Sequence, residues 1–244
     1  MLSRNQIKFI NSLHQKKFRD QHKLFIAEGF KTISEFLDSN IHLHELYTIQ
    51  SLNSDAKQIF ITENELKKIS ALKTPNTALG IFKIPDPKPV DTSKLIVALD
   101  AVRDPGNLGT IIRLCDWFGI GDLVCSNNTV DCYNPKVVQA TMGSLARVNI
   151  SYLDLENFLK GQTLTKYGTF MDGDNVFETK LSDNGILIMG NEANGISEAI
   201  EILTDCRLTI PRYGEVQETE SLNVATATAI LLSEFRRSST GKSS

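Results

Sequence analysis

The run Leu95-Ile96-Val97-Ala98-Leu99 is apolar at every position. A strand with one wet face alternates; five apolar residues in a row read as a strand buried on both faces, the signature of a parallel sheet. Parallel neighbours need a crossover, usually a helix, and a helical stretch follows over residues 107–118. The order strand, polar loop, helix then recurs, with strand candidates at 123–125, 147–150, 169–171, 186–189 and 207–210 and a long closing helix over 221–237. This part of the chain is expected to be a parallel α/β unit.

Upstream, Ile84-Pro85-Asp86-Pro87-Lys88-Pro89 holds three of the seven prolines. Proline at alternate positions can neither continue a helix nor supply ladder hydrogen bonds, so residues 85–93 are expected to be an extended connection. A boundary near residue 90 gives domains 1–90 and 91–244. The split separates charge: residues 1–90 carry 13 Lys and Arg against 9 Asp and Glu, and residues 91–244 carry 13 against 20. Within the first 25 residues Arg4, Lys8, Lys16, Lys17, Arg19 and Lys23 face only Asp20. Such an excess suits a phosphate backbone, or is a solvated helix face. The first domain reads as compact α/β: a helical face at Ile7, Ile10 and Leu13, strands at 24–27, 46–49, 58–61 and 78–84, a helix through Phe30, Ile33 and Leu37, and a capping box Thr62-Glu63-Asn64-Glu65. It has no candidate nucleophile or glycine loop, and its expected task is binding.

Composition sets the outer limits. With 244 residues, 41% hydrophobic and 23% charged, the chain is neither disordered nor collagen-like. No apolar stretch approaches the roughly 18 residues of a membrane span, and Met1-Leu2-Ser3-Arg4-Asn5 lacks the order of a signal peptide, so a cytoplasmic location with no membrane partner is expected. Cys115, Cys125, Cys132 and Cys206 form no C-x-x-C pair and all four histidines lie before residue 45, which leaves no metal-site pattern; the thiols are expected to be reduced.

Gly, Asn, Pro and Ser concentrate in three loops after strands, at 103–109, 190–197 and 211–223, where ligands of open α/β sheets bind. Familiar nucleotide motifs fail: there is no G-x-x-x-x-G-K-[ST], and Gly119-Ile120-Gly121 follows a helix and lacks a third glycine. Ser221 has no histidine in its half of the chain and there is no G-x-S-x-G elbow, which argues against a serine hydrolase.

Four stretches carry a resemblance. Asn107-Leu108-Gly109-Thr110-Ile111-Ile112-Arg113, Tyr133-Asn134-Pro135-Lys136 with Met142-Gly143-Ser144, Ile188-Met189-Gly190-Asn191-Glu192-Ala193-Asn194-Gly195-Ile196-Ser197, and Ile210-Pro211 with Ser221-Leu222-Asn223-Val224 resemble the SpoU/TrmH family of SPOUT RNA methyltransferases in order and separation. The resemblance covers residues 95–237, and the first domain is similar to the substrate-binding domain that precedes many such enzymes. It implies an α/β fold in which a C-terminal trefoil-knotted, parallel-sheet methyltransferase domain follows a smaller N-terminal α/β substrate-binding domain. It further implies S-adenosylmethionine as cofactor, rRNA or tRNA as partner, a homodimer, and methyl transfer to a ribose 2′-hydroxyl. The alternative is an RNA-binding or ribosome-assembly factor that keeps the fold without transferase activity.

The resemblance also distributes roles. Gly190 would let the backbone approach the cofactor, Ile210 and Leu222 would hold its adenosine part, and Met189, Asn191 and Asn223 would lie beside them. Arg113 is the leading catalytic residue, suited to binding phosphate and stabilising a developing alkoxide better than to accepting a proton. Asn107 orients Arg113 or the ribose, or caps a helix; Glu192 is the rival base, orients Arg113, or is a helix-start acid; Ser221 bonds substrate or Glu192, or caps the last helix. Ala225 and Gln139 depart from the family pattern, where serine and a basic residue are common, and both positions bear on substrate contacts.

Overall fold

The computed structural model describes residues 1–214 and 221–240, with the side chains of 239 and 240 left aside. The chain forms two compact units: Met1–Asp86 with Asp131–Arg147, and Pro87–Val130 with Val148–Ser244. The first begins with α1 (Arg4–Ser12), whose N-terminus is closed by Ser3 and Gln6 in a reciprocal capping box. A further short helix, α2 (Lys16–His22), was not expected from the apolar pattern; it stops where Lys23 takes a left-handed conformation. Then follow β1 (Leu24–Glu28), α3 (Phe30–Leu37), β2 (Leu43–Thr48), β3 (Gln58–Phe60), α4 (Glu63–Ile69) and β4 (Ala78–Lys83). The sheet order is β1-β4-β2-β3, antiparallel except for the parallel β2–β3 pair. Ile10 and Leu13 from the first helix, Tyr47, Leu79 and Ile81 from the sheet, and Leu66 and Ile69 from α4 share its core.

The second unit opens with β5 (Leu95–Leu99), buried at all five positions as its unbroken apolar run requires. It continues through α5 (Pro105–Trp117) and β6 (Asp122–Ser126). The chain then contributes Asp131–Arg147, including α6 (Pro135–Thr141), to the first unit. There the Tyr133 ring lies 4.9 Å from that of Phe25. Arg19, 2% exposed, is ion-paired with Asp131 and donates to the Leu13 carbonyl at 3.0 Å. Arg19 is thus withdrawn from the exposed basic set near the N-terminus: its charge is spent inside the fold. Met142 and Gly143, in left-handed conformations, end the helix, and a 3-10 turn at Ser144–Ala146 follows.

Back in the second unit come β7 (Asn149–Leu153), α7 (Leu155–Lys160), β8 (Lys166–Asn175), β9 (Gly185–Met189), α8 (Glu198–Glu201), β10 (Cys206–Thr209) and α9 (Val224–Thr240). The six-stranded sheet runs β10-β8-β9-β5-β6-β7 with every pair parallel. From β5 the chain winds outward to β6 and β7, then crosses over to build β8, β9 and β10 on the other side. The crevice where strand order reverses lies between β5 and β9, whose ends Leu99 and Met189 are in register. The closing helix runs three residues later at each end than its apolar pattern predicts, because Asn223 and not Ser221 caps it. Residues 241–244 of the expected frayed tail lie outside the described residues, while Ser238–Thr240 continue the helix. All four cysteines are free thiols, and no helix among the described residues is long and apolar enough to cross a membrane.

Candidate active site

The loops leaving β5 and β9 meet at the strand-order reversal. After Leu99 the chain turns through Asp100, 8% exposed, whose Oδ2 accepts the Ser197 N–H at 2.8 Å. Ala101 follows at φ +58°, a conformation a non-glycine residue adopts only when its surroundings hold it. The holding bonds are present: the Ser126 Oγ accepts the Ala101 N–H at 2.9 Å, and Asn191 Nδ2 donates to the Ala101 carbonyl at 2.6 Å. Asn191 also accepts the N–H groups of Ala193 and Asn194 and pairs main chain to main chain with Gly195. Its side chain is consumed in folding the loop and joining it to β5, leaving only its main chain for a ligand. At Gly190 a Cβ would lie 2.2 Å from the Gly195 carbonyl carbon, so the loop's own packing requires glycine there whether or not a cofactor approaches.

A chain of amides links these loops to the start of α9. Asn223 Oδ1 accepts the N–H groups of Ala225 and Thr226 at 2.9 and 3.2 Å, which caps α9 and fixes the amide's orientation. Its Nδ2 therefore points outward, donating to Asn107 Oδ1 at 2.8 Å; Asn107 Nδ2 in turn donates to Glu192 Oε1 at 3.0 Å. The Glu192 carboxylate also lies 3.5 Å from the N–H groups of Arg103 and Asp104 at the start of α5, where a helix favours negative charge.

The structure thus brings together Asn107, Glu192 and Asn223, with Gly190 and Asn191 in the same loop as Glu192. It corrects two local expectations, the cap of α5 and the place of Glu192. Asn107 is not the cap of α5: Asp104 is, accepting the Asn107 N–H at 2.8 Å with Pro105 in the first turn. Asn107 makes no hydrogen bond to Arg113 among the described residues; its amide bonds Glu192 and Asn223. Glu192 does not begin a helix; the next one starts at Glu198. Arg113 lies exposed on α5, with no hydrogen bond or ion pair among the described residues. Ser221 is exposed before α9, and Met189, 2% exposed, offers only its main chain, its carbonyl accepting the Asp100 N–H at 2.9 Å. Ile210 is half-buried just beyond β10, and Leu222 is 48% exposed beside Asn223. Ala225 is buried.

Asp100, Ala101 and Asp104 are the site residues that reading the sequence missed. For Asp104 a signal was available, an Asp-Pro pair opening a helix; for Asp100, the first polar residue after a buried strand. Nothing in the sequence marks Ala101 as left-handed. Among the described residues no group of three or more His, Cys, Asp and Glu side chains could hold a metal ion.

An all-parallel α/β unit with Gly- and Asn-rich loops converging at a strand-order reversal is the kind of unit that binds its ligand at that reversal. More narrowly, the chain belongs to the SpoU rRNA Methylase family, whose pattern it matches over residues 94–233; residues 4–80 match the MRM3-like substrate binding domain. It is 31% identical, over 96% of its length and 97% of the relative's, to the 23S rRNA (guanosine(2553)-2'-O)-methyltransferase RlmP of Bacillus subtilis. Among solved structures it resembles a TrmH-family protein of Porphyromonas gingivalis (39% identity, TM-score 0.88, 97% of this chain and 99% of that one). It also resembles the AdoMet-bound rRNA methyltransferase of Sinorhizobium meliloti (30%, TM-score 0.85, 97% and 96%).

Proposed function

We propose that this protein is an S-adenosylmethionine-dependent methyltransferase acting on a ribose 2′-hydroxyl of ribosomal RNA. The observation that carries the reading is the hydrogen-bonded chain Asn223–Asn107–Glu192, which ties the ends of three separate segments into one polar site at the strand-order reversal. The residues suit the cofactor: Ile210 and the half-exposed Leu222 offer apolar walls for an adenine, and the main chain around Met189–Asn191 offers the polar contacts its edges need. S-adenosylmethionine supplies a methyl group on a positively charged sulfur. Asn107 and Glu192 hold the loops that form the pocket, and Arg113, unpaired among the described residues, binds an RNA phosphate and stabilises the 2′ oxygen as negative charge grows on it. Ser221, exposed beside Leu222, is a substrate contact. Glu192, already accepting from Asn107, serves better as the clamp of the loop than as the base.

This reading includes a trefoil-knotted C-terminal domain, a homodimer and a cytoplasmic location; family membership supports the first two. The intact polar chain favours an enzyme over an RNA-binding assembly factor without transferase activity. The test is methyl transfer from labelled S-adenosylmethionine to rRNA from cells lacking this protein, followed by nucleoside analysis. A 2′-O-methylated nucleoside is expected, with turnover reduced about 10²- to 10³-fold in Arg113→Ala, the usual loss for one transition-state donor. Absence of transfer to that rRNA, with cofactor binding intact, would leave the assembly-factor reading in its place.

A further inference from the structure

The first unit holds a cavity of about 520 Å³ that the methyl-transfer site does not use. Its lining includes apolar Leu66, Ile49 and Pro75 and the ring of Phe30, 42% exposed at the start of α3. An aromatic ring left this open at a cavity mouth is a flat platform whose own burial the fold has not completed. Asn76 lies across the cavity wall against Gly29: a Cβ on that glycine would come 2.8 Å from Asn76 Nδ2. Gly29 is at φ +86° and its N–H donates to the carbonyl of Ala78, the first residue of β4, so the turn before Phe30 is tied to the strand that follows the 74–77 loop.

We propose that this cavity receives one unpaired nucleobase of the RNA substrate, stacked on Phe30, with its edge read by Asn76 and Glu63 and the adjoining phosphate held by Lys67. The inference rests on the RNA-modifying reading above and deepens it. Each group matches one part of a nucleotide. The ring takes the base face, as aromatic platforms do for single-stranded nucleic acid; the Asn76 amide offers both a donor and an acceptor; the Glu63 carboxylate accepts only, and an amino group or ring N–H to meet it is present on every base. Lys67 lines the cavity, and Lys31 and Lys73 adjoin the lining residues Phe30 and Thr74 in sequence; all three are exposed and lack an acidic partner among the described residues. Their charge belongs to the half of the chain that carries the positive excess, 13 basic against 9 acidic residues over 1–90.

The experiment uses the full-length protein, deproteinised rRNA from cells lacking it, and labelled S-adenosylmethionine. The KM for rRNA, kcat at saturating rRNA and rRNA affinity are measured for the natural chain, Phe30→Ala, Phe30→Tyr and Lys67→Ala. Phe30→Ala is expected to raise KM and Kd for rRNA roughly 5- to 150-fold, the loss of one stacked base, with kcat and cofactor affinity unchanged; Phe30→Tyr restores the natural values. Ultraviolet cross-linking should attach Phe30 or a residue of the 74–77 loop to a single RNA nucleotide. Methyl transfer that proceeds with KM unchanged in Phe30→Ala and Lys67→Ala would overturn the pocket and keep the transferase. Phe30-dependent rRNA binding without any methyl transfer would keep the pocket and overturn the transferase.

Discussion

At Gly190 there is no room for a side chain, and the obstacle is backbone: a Cβ would meet the carbonyl carbon of Gly195 at 2.2 Å and the nitrogen of Ile196 at 2.4 Å. Gly190→Ala must therefore open the 190–197 loop, pulling Asn191 from Ala101 and Glu192 from Asn107. The expected result is a loss of about 1–3 kcal/mol in urea-midpoint stability, as for other overpacked sites, with methyl transfer falling more steeply than stability. Arg19 illustrates the opposite case, a residue whose surroundings overturn its sequence context. Among six basic residues near the N-terminus it is the buried one, and Arg19→Met would strand the Asp131 carboxylate and release the Leu13 carbonyl. We expect about 3–5 kcal/mol of destabilisation by chemical denaturation, the usual effect of removing one partner of a buried pair. That Asn107, Glu192 and Asn223 fall in the loops of the candidate site was legible in their motifs; that they bond to one another was not, because each is separated from the next by a stretch of chain whose path the sequence does not state.

Among the elements, α4 shows how much a short segment can specify. Thr62 accepts the Glu65 N–H at 3.2 Å, and the Glu65 carboxylate returns the bond to the Thr62 N–H at 2.9 Å while also accepting the Leu2 N–H at 2.5 Å. The bonds from Thr62 and Leu2 hold the Glu65 carboxyl down to about 2. Because the folded value lies below that of an ordinary glutamate, about 4.3, the stabilisation is complete above that value and drains away as pH falls towards 2. The thermal midpoint of the natural chain should exceed that of Glu65→Gln at pH 6, and the gap should close across that acid window; a pH-independent gap would show that the carboxylate's charge plays no part. Thr62→Ala should cost about 1 kcal/mol. This capping box was readable because its partners are three residues apart. The caps of α5 and α9 were misassigned by a few residues for a related reason: several Asn, Ser and Asp side chains crowd both helix starts, and only the bonds made decide among them. The unexpected α2 has no apolar periodicity to announce it; a buried Arg19 on a helix so rich in charge has no counterpart in patterning rules.

For the whole molecule, the distribution of charge gives the next expectation. RNA affinity should fall steeply with salt, and Lys67→Ala should lower the slope of log affinity against log salt by nearly one phosphate contact, measured by fluorescence anisotropy from low to physiological ionic strength. The presence of parallel α/β architecture was legible from apolar runs such as 95–99, since burial on both faces has a local signature. The strand order was not, since β9 lies beside β5 through pairings of residues 90 positions apart. Nor could the apolar pattern reveal that Asp131–Arg147 leaves the unit around it to join the first. That detour bears on how the protein is made. A ribosome delivers the chain from its N-terminus, and such domains commonly fold as they emerge, yet here the unit that appears first lacks Asp131 for Arg19 and Tyr133 for Phe25 until those residues are made, and its last segment until residue 147 has been synthesised. Stalled nascent chains ending near residue 90 should stay open to protease within this unit, and chains long enough to expose residue 147 outside the ribosome should become resistant. The N-terminal unit is thus first in translation but unfinished until residue 147 of 244, an interval in which a chaperone would find Phe25 without its Tyr133 neighbour.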